Sequence, residues 1–170
     1  MKRWLFLIAL GVGGGILFRS AAMEGIYIAT PSMEPALPVG THYFVDKITL
    51  AFRAPRRGEI VLLSSPVEGD KELVKRVIGL PGETIEIRKK EVYVNDKPLS
   101  EPYAAHRRSG EALVGDNLGP LRIPEGSFFV LGDNRDESRD SATWKDPGTG
   151  EPVHFVPGDR IRGRLLNVLE

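Results

Sequence analysis

Leu73-Val74-Lys75-Arg76-Val77-Ile78-Gly79-Leu80-Pro81-Gly82-Glu83-Thr84-Ile85-Glu86-Ile87 says more about the fold than any other stretch of the chain. Leu73 to Ile78 reads as a strand, Pro81-Gly82 turns the chain, and Thr84 to Ile87 alternates as a half-buried strand should. Strand–turn–strand is then the motif to look for on either side. Upstream, Gly25 to Thr30 and His42 to Ile48 are β-prone, and Pro55-Arg56-Arg57-Gly58 turns into the apolar run Glu59 to Leu63. Downstream come Glu91 to Val94, closed by an Asn95-Asp96 turn, then Ser127 to Leu131, and a closing strand region between Val156 and Leu169. Residues 96–120 are polar and rich in turn formers, which suggests loops or a small inserted subdomain at about 90–122. With 19 Gly and 13 Pro punctuating these runs, and no helix signal in the body, the fold class is mainly β.

The 170 residues suffice for one domain with a real core. Lys and Arg balance Asp and Glu at 23 each, so nothing draws the chain to nucleic acid. There is no cysteine, which removes disulfides, thiolate metal sites and a cysteine nucleophile. His42, His106 and His154 are far apart and match no metal-ligand spacing. At the N-terminus, Lys2-Arg3 precedes an apolar and glycine run from Trp4 to Phe18, and Ser20 to Met23 extends it. As a helix that run spans about 22 Å, against about 30 Å of hydrocarbon. It fits a cleavable secretory signal or a retained anchor with its basic end inside. The anchor is preferred, because the candidate site follows so closely. Residues 1–23 are then a membrane anchor and 24–170 an extracytoplasmic domain.

Two segments carry the chemistry. Thr30-Pro31-Ser32-Met33-Glu34-Pro35 places a hydroxyl in a turn whose prolines fix φ and push the preceding residues toward extended conformations. Ser32 N–H and the Thr30 hydroxyl are candidate oxyanion donors. In Leu73 to Ile78, alternation sets Leu73, Lys75 and Val77 on one face and Val74, Arg76 and Ile78 on the other. Lys75 thus shares a face with apolar side chains, which favours its neutral amine, and a neutral amine can act as general base toward a serine. A third segment, Gly132-Asp133-Asn134-Arg135-Asp136-Glu137-Ser138-Arg139-Asp140-Ser141, is dense in turn-forming side chains. Arg135 has Asp133, Asp136 and Asp140 within sequence reach, and Ser138 can hold the lysine. The segment lacks the glycine and closing glutamate of a calcium loop.

Taken in order, the boxes Pro31 to Leu37, Arg57-Gly58-Glu59-Ile60-Val61, Lys75 to Glu83 and Gly132 to Ser141 resemble those of bacterial type I signal peptidases, membrane-anchored Ser–Lys proteases. The resemblance covers most of residues 26–166. It implies a coiled antiparallel β-sheet core with a small appended subdomain and one N-terminal transmembrane helix. Ser32 would be the nucleophile, Lys75 the general base, Ser138 the group that orients the lysine, and Thr30 the oxyanion-hole hydroxyl. Ile28, Met33, Leu37 and Val74 would line pockets for small side chains before the cleaved bond, with Asp133, Arg135 and Asp140 as scaffold. The implied partners are preprotein signal peptides and the lipid bilayer, met by a monomer of the inner (plasma) membrane that needs no metal or other cofactor. Thr30-Pro31-Ser32 departs from the family's usual Ser-Gly-Ser. Ala36 and Ala142 replace a common threonine and arginine, and Lys145 to Val153 follows the family less closely. A peptidase dedicated to one substrate, such as a pilus or secretion component, and a silent signal-peptide-binding homologue are the alternatives.

Overall fold

A computed structural model describes residues 22–69, 71–108 and 110–166. Eleven strands in two antiparallel sheets build it: β1 (Met23–Tyr27), β2 (His42–Asp46), β3 (Ile60–Ser64), β4 (Glu72–Gly79), β5 (Thr84–Arg88), β6 (Glu91–Val94), β7 (Lys97–Pro98), β8 (Leu118–Arg122), β9 (Ser127–Leu131), β10 (Val156–Pro157) and β11 (Ile161–Leu165). The larger, curled sheet has the order β1-β2-β11-β3-β4-β9-β10, and the smaller one β7-β6-β5-β8. Of the anchor expected over residues 1–23, positions 1–21 lie outside the described residues, while Met23 of β1 already pairs with Asp46, so the sheet begins inside the expected bound. No helix among the described residues is long and apolar enough to cross a membrane.

Where the observed elements differ from the sequence reading, local chemistry explains it. β2 stops at Asp46 instead of running to Ile48, because the Asp46 carboxylate accepts from the amides of Ile48 (2.9 Å) and Thr49 (3.0 Å). Those bonds lift the chain out of the sheet into a one-turn helix, α1 (Thr49–Phe52), which the sequence does not signal. β8 falls in the stretch expected to be loop, since Gly119 and Pro120 are poor strand residues. It sits at the edge of the smaller sheet, where a proline's missing N–H is tolerated. That sheet begins at Thr84, so it takes in β5 as well as residues 90–122. The β5–β6 turn places Lys89 and Lys90 at φ 50° and 74°, and the β6–β7 turn places Asn95 and Asp96 at 50° and 61°. Such two-residue turns match the twist of their flanking strands.

Three apolar clusters hold the sheets together. Ile28, Met33, Leu37, Val45, Ile60, Leu62 and Leu165 pack beneath the serine turn. Val61, Leu63, Val77, Phe128, Val130 and Trp144 form a second cluster, against which Leu73 packs. Ile78, Ile85, Ile87, Phe129 and Leu131 join the two sheets. The alternation read from the sequence holds in β4, with Leu73 and Val77 in the second cluster and Val74 against the first. Lys75, lying between Leu73 and Val77, is thereby committed to an apolar face.

Candidate active site

The serine turn is a single 3₁₀ turn over Pro31–Met33, entered from an extended Thr30 (φ −129°, ψ 150°). Proline suits the first helical position because its missing N–H would have no partner there. The turn closes with Glu34 N–H donating to Pro31 O at 3.1 Å, and Glu34-Pro35 is cis. Ser32 is 9% exposed, and its Oγ lies 3.3 Å from Thr30 Oγ1.

Opposite stands Lys75, 3% exposed. It is placed in mid-strand by cross-strand pairing with Val61, and its Nζ donates to Ser138 Oγ at 3.1 Å. Burial lowers the lysine pKa from 10.5 to about 8, partly countered by the fields of Asp140 and Asp133. Near neutral pH a real fraction of Lys75 is then free amine, which an exposed lysine does not offer. Ser32 and Lys75 face one open groove of about 340 Å³, whose wall includes Ile28, Thr30, Met33, Val74 and Trp144.

β4 pairs with β3 along its whole first half, from Glu72 to Arg76, but with β9 only from Arg76 onward. Among the described residues the β9-side edge of residues 72–75 is therefore unpaired, and β1 is an edge strand. Free backbone edges beside a groove are the geometry that accepts an extended peptide as an added strand.

Residues 1–169 match the family model described as signal peptidase, peptidase S26. The chain belongs to the signal peptidase family. A signal peptidase I of Bacillus licheniformis is 37% identical, over 94% of this chain and 90% of that protein. Signal peptidase I T of Bacillus subtilis (strain 168) is 36% identical, over 94% and 80%. A crystal structure of a signal peptidase I from Enterococcus faecalis V583 matches with a TM-score of 0.51 and 33% identity, over 67% of this chain and 98% of that one. The protein is thus a serine peptidase that removes signal peptides.

The scaffold of this peptidase is wired differently from the sequence expectation. Arg135 does not pair with Asp133, Asp136 or Asp140. It forms a two-pronged ion pair with Glu101, at 2.9 and 2.6 Å. Asp133 is held instead by Arg76, at 2.8 and 2.6 Å, and burial raises the Asp133 pKa against the pull of that guanidinium. Asp140 makes no ion pair among the described residues; its carboxylate accepts from the amides of Gly132 (2.9 Å) and Ala142 (3.1 Å). Leu37 is fully buried in the cluster beneath the turn and does not reach the groove, unlike Ile28, Met33 and Val74.

Arg76 and Glu101 are the residues that sequence reasoning missed. For Arg76 a signal existed, since a guanidinium in a buried strand requires a carboxylate partner. Glu101 sits in a polar loop 34 positions from Arg135 and carries no such mark.

Proposed function

We propose that Ser32 is the nucleophile of this signal peptidase and Lys75 its general base. The observation that carries this reading is the Lys75 ammonium nitrogen, buried, with its pKa lowered to about 8, bonded to Ser138 and sharing one groove with Ser32. Neutral Lys75 takes the Ser32 hydroxyl proton as Oγ attacks the scissile carbonyl. The resulting ammonium gives that proton to the leaving amine, which leaves an ester on Ser32. Lys75, neutral again, deprotonates a water that attacks the ester, and the ammonium returns that proton to Ser32 Oγ as the acid product leaves. Ser32 N–H and the Thr30 hydroxyl, which already lies beside Ser32 Oγ, stabilise the oxyanion.

The substrate lies extended between the end of β1 and the free edge of β4. Its residues before the cleaved bond meet Ile28, Met33 and Val74, a shallow apolar wall suited to small side chains. Asp133, Arg135 and Asp140 serve as scaffold through Arg76, Glu101 and the backbone. The apolar segment ahead of β1 anchors the monomer in the plasma membrane with the N-terminus cytoplasmic, so that the two sheets meet signal peptides at the outer face.

The test is cleavage of a preprotein by the detergent-solubilised full chain, with the new N-terminus sequenced. Ser32→Ala and Lys75→Ala should each lose turnover while keeping their melting transition. Appreciable cleavage by either folded variant would sink the dyad.

A further inference from the structure

Asn134 is fully buried, yet it belongs to none of the ion pairs around it. Its Nδ2 donates to Pro31 O at 3.1 Å, across 103 positions of sequence. Its backbone N–H donates to Ser32 O, also at 3.1 Å. Two successive carbonyls of the serine turn are thus tied to one residue. The other end of its amide, Oδ1, has no hydrogen-bond partner among the described residues. A buried acceptor left unpaired weakens a fold, so the side chain's value lies in its donor.

Pro31 C=O and Ser32 N–H belong to the same planar peptide, and across a trans peptide the two point in opposite directions. Drawing Pro31 O toward Asn134 therefore turns Ser32 N–H the other way. That N–H has no partner among the described residues. We infer that Asn134 is a positioning residue for the oxyanion hole, its side-chain amide fixing the peptide plane that aims Ser32 N–H at the developing charge. The inference rests on the reading of Ser32 as nucleophile.

A donor aimed at charge that exists only in the transition state raises kcat and leaves KM alone. Asn134→Ala in the full-length protein should lower kcat about tenfold, near 1.4 kcal/mol, with KM within about twofold. The midpoint of its pH profile should stay that of the wild type, because Lys75 is untouched. A peptide boronate, which forms a tetrahedral adduct on serine, should bind about tenfold more weakly, while the unreactive product peptide binds as before. Asn134→Asp keeps the shape but replaces the donor by an acceptor, and should lose at least as much. In the wild type, hydrogen exchange at the Ser32 amide should slow when the boronate is bound.

Unchanged kcat in either folded variant, a loss confined to KM, or no slowing at Ser32 would each overturn the inference. Ser32→Ala separates the two ideas. If it still turns over, the nucleophile is wrong; if it is dead while Asn134→Ala is fully active, only the role of Asn134 falls.

Discussion

Replacing Lys75 with methionine should abolish turnover and, at neutral pH, make the fold more stable. Lys75 is 3% exposed and alternates onto the strand face of Leu73 and Val77, which belong to one apolar cluster. Burial takes its pKa from 10.5 down to about 8, so the folded chain binds the proton less tightly than the unfolded one. Above about pH 10.5 the amine is neutral in both states and no penalty exists. Stability is lost progressively as pH falls from about 10.5 to 8, and below 8 the full penalty applies. At about 1.36 kcal/mol per pH unit, that penalty is about 3 kcal/mol. Methionine has no charge to bury and similar reach, but it forfeits the bond to Ser138 (3.1 Å), worth about 1 kcal/mol. The net gain at pH 7 is about 2 kcal/mol, or roughly 4–8 °C in melting temperature for a chain of this size. Thermal melts of both proteins in one detergent, at pH 7 and at pH 10.5, give the answer. A variant that melts at or below the wild type at pH 7 refutes the reasoning, and so does an equal gain at both pH values.

The same lysine sets the pH dependence of catalysis. With a pKa of about 8, kcat/KM should rise about tenfold from pH 7 to pH 9, whereas an unshifted lysine would give about a hundredfold rise; a profile flat down to pH 5 excludes a lysine base. Gly132→Ala should cut kcat at least about tenfold and destabilise by about 1–3 kcal/mol, because its Cβ would fall 2.4 Å from Ser32 O and 2.3 Å from Ser138 Oγ. A fully active Gly132→Ala enzyme would mean that the two serines are not wedged around that glycine. Leu37→Ala should destabilise by about 2–5 kcal/mol with KM nearly unchanged, since Leu37 is core and not groove wall; a KM change matching that of Val74→Ala would return it to the pocket.

Strand existence was legible where side chains alternate or β-branched and aromatic residues cluster, as in β4, β6 and β9. β8 and α1 were not, because an edge position excuses the proline of one and a capping carboxylate nucleates the other. The serine turn and the buried lysine were readable for a similar reason. Proline constrains its own φ whatever surrounds it, and a lysine between Leu73 and Val77 shares their face in any strand.

What the sequence determined by itself was this local character: which segments extend, where the chain turns, and which side chains pair a polar group with an apolar setting. Only the tertiary structure decided the partnerships. Arg76 with Asp133, Arg135 with Glu101, and Asn134 with Pro31 and Ser32 span 57, 34 and 103 positions for the pairs Arg76–Asp133, Arg135–Glu101 and Asn134–Pro31. Charge and hydrogen-bonding capacity are properties of a residue, but a partner is a property of distance. Distance between remote residues follows from sheet order, here the insertion of β11 between β2 and β3 and of β4 between β3 and β9, which no local pattern encodes.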